Sequence, residues 1–180
     1  MRTALLLLAV LAAPLAHAQR LELVGALQFP VDLRANPEGS GGSDVWGYTA
    51  EDGSEYALMG VLGGIAVVAV PSMEVVTTIP GPTEDDVWYH RDIKTRGHYA
   101  FIVSENYGEN EGMQVVDLSG LPESVRIVTV LGGEAISSHN LSVDVATGYA
   151  YVMNSSNNAL EIVDIRAPET PAIVGTVVTG

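Results

Sequence analysis

The stretch DVWYHRDIKTRGHYAFIVSE, residues 86–105, holds two histidines, two arginines, one lysine and three acids. Imidazole can ligate a metal or move a proton near neutral pH. A second such place is SSHN, residues 137–140, where Ser137 and Ser138 stand beside His139 as a nominal nucleophile and base. A third is ENYGENE, residues 105–111, whose Glu105, Glu109 and Glu111 are oxygen ligands of the kind calcium takes.

The spacing restrains each of these readings. His90 and His139 belong to no tight ligand motif such as HExxH, and Arg91 beside His90 would repel a cation. A serine and a histidine adjacent in a strand point to opposite faces, and no G-x-S-x-G elbow is present. The acidic loop lacks the order of an EF-hand, so it reads as solvated or as a calcium site, calcium being the candidate cofactor. No catalytic residue is assigned on these grounds. Asp117 and Asp164 stand just before Pro-containing turns and are expected to cap them through their backbone amides.

Positioning these groups falls to short runs of Val, Ile, Tyr and Thr separated by Gly, Asn, Asp, Ser and Pro. That pattern describes an all-β chain of short strands. The runs repeat. Asp44, Asp92 and Asn140 recur at 48-residue steps. Tyr56-Ala57-Leu58, Tyr99-Ala100-Phe101 and Tyr149-Ala150-Tyr151 match, as do VVAV ending at Val70, VVDL at Leu118 and IVDI at Ile165. Each unit holds four strands, with Asp52-Gly53, Arg96-Gly97 and Thr147-Gly148 at the turn between the first two. Four strands in roughly 40 to 50 residues, repeated, predict four-stranded antiparallel blades of a β-propeller.

The expected organisation is blade one over 43–81, blade two over 89–133 and blade three over 137–180. An extra strand of last-strand type falls within 19–30, where LELVGALQF resembles PAIVGTVVTG. Three blades are below the usual minimum of four, so the propeller is partial. Self-association through apolar outer blade faces is expected. In a propeller, the loop between second and third strands shares a face with the connection into the next blade. That face collects Asp44, the pair Asp85 and Asp86, His90, Arg91, Asp92, the acidic loop, His139 and Asn140. Asp44, His90, Arg91, Asp92, His139 and Asn140 are therefore the candidate ligand-binding set at the channel mouth. Truncation of His90, Arg91 or Asp92 there should change stability by only about 0.5 kcal/mol. Tyr99 and Phe101, by contrast, are expected to pack between blades. His98 falls on the opposite face, in a turn.

The first 18 residues, MRTALLLLAVLAAPLAHA, read as a cleaved secretory signal: Arg2, an apolar run over 4–13, and Ala16-His17-Ala18 as the cleavage site. The apolar run is shorter than the roughly 20 residues that span a bilayer, so no membrane insertion is expected after cleavage. The chain has no cysteine, hence neither disulfides nor a lipidated N-terminus. Net charge is −14, and loss of one arginine with the signal makes it −15. Such acidity argues against nucleic acid and anionic membranes as partners.

The segments SDVWGY, RDIKTRGHYAFIVSE, GMQVVDLSGL, SSHNLSVDVATGYAYVM and LEIVDIRAPETPAIVG resemble the choice-of-anchor B family of exported LVIVD-repeat propellers. The resemblance covers essentially the whole chain after the signal and implies a secreted or surface-displayed propeller. Members usually continue through further blades to an anchoring tail, whereas this sequence stops at Gly180, as a truncated member would. The resulting expectation is an exported module that binds a protein or glycan at the channel mouth. The competing readings are an extracellular hydrolase or metal-assisted enzyme on the same face, and a purely structural repeat protein.

Overall fold

The computed structural model describes residues 22–30, 41–82, 90–106, 111–132 and 136–178. Twelve strands make three four-stranded antiparallel sheets, each in sequence order. The first holds β1 (Gly42–Thr49), β2 (Glu55–Val61), β3 (Gly64–Val70) and β4 (Glu74–Pro80). The second holds β5 (Arg91–Arg96), β6 (Tyr99–Ser104), β7 (Gly112–Asp117) and β8 (Arg126–Gly132). The third holds β9 (Ser138–Asp144), β10 (Tyr149–Asn154), β11 (Ala159–Asp164) and β12 (Ala172–Val178). No helix long and apolar enough to cross a membrane occurs among the described residues.

The sequence repeat reappears as repeated geometry. The turn between the first two strands of each sheet carries a glycine at positive φ: Gly53 at 87°, Gly97 at 59° and Gly148 at 75°. Side chains disfavour that conformation, which is why glycine recurs there. The pairing of third and fourth strands slips at matching places, between Val67 and Val68, Val115 and Val116, and Ile162 and Val163. A bulge there adds twist to the outer strand of each blade.

Successive sheets meet along their first strands, β1 beside β5 and β5 beside β9. Their faces close two apolar cores. Tyr56, Leu58, Ile65 and Val67 of blade one pack against Ala100, Ile102, Val116 and Leu118 of blade two. Phe101, Val103, Met113 and Val115 of blade two pack against Leu141, Ala150, Val152 and Val163 of blade three. Side chains alternate along a strand, so Ala100 and Ile102 face one neighbour while Phe101 and Val103 face the other. The recurring alanine is the small contact that lets the preceding blade approach. Both strand faces are covered, which accounts for the unbroken apolar run GIAVVAV in β3.

Tyr99 and Phe101 both pack at the interblade core as expected, to different depths, and one expectation needs correction. Phe101 is fully buried, but Tyr99 lies at the end of β6 and is only half-buried, its ring 4.4 Å from that of His98. Tyr99 belongs to the rim of the core. The extra strand within 19–30 is not formed over the described part: residues 22–30 have no regular structure, and Leu23 and Val24 are exposed. A strand of last-strand type needs a free third strand to pair with. β4, β8 and β12 already occupy that edge in all three sheets. The signal sequence expected over 1–18 lies outside the described residues.

Candidate functional site

The six residues Asp44, His90, Arg91, Asp92, His139 and Asn140, with Ser43, line one cleft of about 230 Å³ where the three first strands come together. The register of blade two explains half of this convergence. β5 and β6 pair with Arg91 opposite Ser104, so His90, one residue before β5, faces Glu105, one residue after β6. His139, near the start of β9, arrives from blade three. His90 Nδ1 lies 3.4 Å from Glu105 Oε2, and His139 Nδ1 lies 3.1 Å from Glu105 Oε1. The two rings are tilted, with centroids 5.1 Å apart.

The floor of the cleft ties one blade to the next, and here the repeat acts directly. Asp44 Oδ2 accepts the Ile93 backbone N–H at 3.1 Å, and Asp92 Oδ2 accepts that of Leu141 at 2.6 Å. Both bonds span 49 residues, one repeat and a step. Asn140 occupies the third copy of the position. Ser43 adds a reciprocal pair, its Oγ accepting from Arg91 N at 3.1 Å and donating to Arg91 O at 3.4 Å. Lower down, Trp46 Nε1 donates to Thr95 Oγ1 at 2.9 Å and Arg96 Nε to Val145 O at 3.2 Å, again 49 residues on.

Arg91 and Asp92 therefore differ from the expectation that they are solvated mouth residues. Arg91 is 5% exposed and its Nε donates to Gly64 O at 3.1 Å, fastening blade two to blade one. Asp92 is 6% exposed; besides Leu141 it accepts the Ile93 N–H and the Lys94 ammonium. Lys94 also reaches Asp44 at 3.5 Å and sits 4.8 Å above the Trp46 ring. Burial raises the Asp92 pKa, opposed by the bonds from Lys94 and Leu141. Burial also pushes on Asp44, but its hydrogen bonds to Asp92 and Ile93 and the Lys94 charge hold its carboxyl below the ordinary range. Side-chain alternation sends Arg91 to one neighbouring blade and Asp92 to the other, and a polar spelling did not reveal it.

The proposed calcium triad is divided. Glu105 turns to the histidines. Glu111 is 1% exposed and is bonded to Ser104 Oγ at 3.4 Å and Asn106 Nδ2 at 3.0 Å. Glu109 lies outside the described residues, as do Asp85 and Asp86. Of the serines beside His139, buried Ser138 directs its hydroxyl at the carbonyls of Asn140 and Met153, at 2.8 and 2.7 Å, whereas the Ser137 hydroxyl is buried without a hydrogen-bond partner among the described residues. On the far face, His98 is half-buried, 3.9 Å from Asp117. Asp117 and Asp164 cap their turns, accepting from Ser119 N at 2.9 Å and Arg166 N at 3.0 Å.

One buried carboxylate escaped the sequence reading. Glu161, in the middle of β11, is 4% exposed and is held by Thr176 Oγ1 at 2.5 Å, Asn157 Nδ2 at 3.3 Å and Asn154 Nδ2 at 3.5 Å. Its counterpart in blade two, Gln114, is buried too and donates to Pro80 O at 3.0 Å. The available signal was a polar residue in the third place of a largely apolar third strand.

Three twisted four-stranded antiparallel sheets, packed face to face around their first strands, make this a partial β-propeller. Among solved structures the chain is similar to one from Bacteroides fragilis provisionally assigned as a 6-phosphogluconolactonase. The TM-score is 0.55 and the identity 14%, over 74% of this chain and 38% of that one. The chain thus spans less than half the length of the matched structure, and the likeness speaks for the fold alone. Residues 139–179, nearly the whole third sheet, match the family model of the LVIVD repeat. The segment LEIVD of β11 carries that spelling apart from Glu161. No curated protein matches the chain.

Proposed function

We propose that this chain is an exported LVIVD-repeat propeller module of the choice-of-anchor B kind, whose channel-mouth cleft binds a protein or glycan partner without catalysis. The observation that carries the reading is the cleft itself. Three blades supply Asp44, His90, His139 and Asn140 to one polar concavity, while the hydroxyl of the neighbouring Ser138 is held by two backbone carbonyls. Polar groups converging in a concave site are the ordinary mark of a binding surface. Export rests on the leader over 1–18. Intact-mass measurement should find the mature chain beginning at Gln19 outside the cytoplasm, and a product that keeps Met1 would remove this part of the reading.

His139 and Asn140 are the exposed members of the cleft, so they test the surface without disturbing the floor. The double variant His139→Ala, Asn140→Ala should melt within about 0.5 kcal/mol of the parent, as surface changes generally do. It should also lose at least tenfold in affinity for any glycan that the parent retains on a printed array, or for a purified partner. Undiminished binding by the double variant would place the partner on another face. Since the similar structure speaks only for fold, lactone hydrolysis is not carried over to this chain.

A further inference from the structure

We infer that His90, Glu105 and His139 form a binding site for a zinc-class divalent transition metal, bridging blade two and blade three. Their ligand atoms all lie within 4.8 Å of one another. Metal bonds of about 2.0–2.2 Å in tetrahedral geometry set ligand atoms about 3.3 Å apart. The two imidazole–carboxylate distances, 3.4 and 3.1 Å, have that spacing. The remaining edge, between the two imidazoles, is the longer one. The side chains of His90 and His139 are 37% and 50% exposed, so an ion can reach both from solvent.

The donor set chooses the metal. Two imidazoles and one carboxylate suit zinc, cobalt or nickel, whereas calcium takes oxygen ligands throughout. A carboxylate is an acceptor only. Two Nδ1 atoms aimed at it therefore need a proton each or a cation between them. The other acids of the cleft are engaged: Asp44 and Asp92 accept backbone amides and share Lys94. Arg91, adjacent in sequence, is drawn away by Gly64 O on the blade-one side. Its charge thus does not forbid the ion as its place in the sequence suggested. Three protein ligands leave a coordination position open toward the cleft, the arrangement of zinc sites that hold an exchangeable ligand. Because His139 comes from the next blade, the ion also staples two blades.

The inference is independent of any macromolecular partner, and the metal alone tests it. Cobalt(II) titrated into the full, untagged chain should develop visible d–d absorption that saturates at one equivalent. Zinc should displace it and calcium should not. His90→Ala, His139→Ala and the shape-preserving Glu105→Gln should each weaken cobalt binding at least tenfold, with His98→Ala unchanged. Zinc should raise the melting temperature of the parent and leave that of Glu105→Gln in place, which also controls for a misfolded variant. Absence of a saturable cobalt band would overturn the site and leave an imidazole–carboxylate cluster only. Equal affinity in the His90 and His139 variants would overturn it as well.

Discussion

Phe101→Ala is expected to cost about 3–5 kcal/mol, the range for deleting a ring from a closed core. Phe101 is completely buried between blade two and blade three, among Val103, Met113, Leu141, Ala150 and Val152. Its removal opens a cavity against a rigid sheet on each side, and two hydrogen-bonded sheets cannot collapse far to fill it. Tyr99→Ala should cost clearly less, because that ring lies on the rim of the same core and keeps part of its surface in water. Urea denaturation at unchanged m-value measures both changes. Equal losses for the two rings would mean that the interblade face is not the one described.

Asp92→Ala should be the second severe change, at about 3–5 kcal/mol, as for breaking a buried charge pair. It strips an acceptor from the amides of Ile93 and Leu141 and from Lys94, and so loosens the contact between the first strands of two blades. Asp92→Asn keeps an acceptor for Leu141, and the chain itself carries Asn140 at the same place of the next repeat. That variant should remain within about 1 kcal/mol of the parent, as for a shape-conserving exchange. The sign of its pH dependence follows from burial. The folded-state pKa of Asp92 is raised, so its contribution to stability is full below the ordinary carboxyl value of 3.8 and is lost as pH rises through the folded value. The parent should therefore lose ground to Asp92→Asn as pH rises above the ordinary carboxyl value, which thermal melts at a series of pH values would reveal. A gap that moves the other way would show Lys94 to outweigh burial.

The two variants also mark how far the linear order of residues reaches. A 48-residue register, turn glycines and unbroken Val and Ile runs determined by themselves an all-β chain of repeated four-stranded units. They act locally: a period of two, a positive φ and a run of β-branched residues dictate strands and hairpins before any long-range contact exists. Tertiary structure alone decided what the polar residues do. Arg91 and Asp92 were read as one exposed group, yet in β5 they point to different blades and are buried by them. Glu105 was grouped with Glu109 and Glu111 by closeness in sequence. The Arg91–Ser104 rung and the docking of blade three instead give it His90 and His139 as neighbours. His139 lies 34 residues beyond Glu105 in the chain. Which face of one sheet meets the next is set by the packing of whole blades, and only that packing brings a carboxylate and two imidazoles within bonding reach.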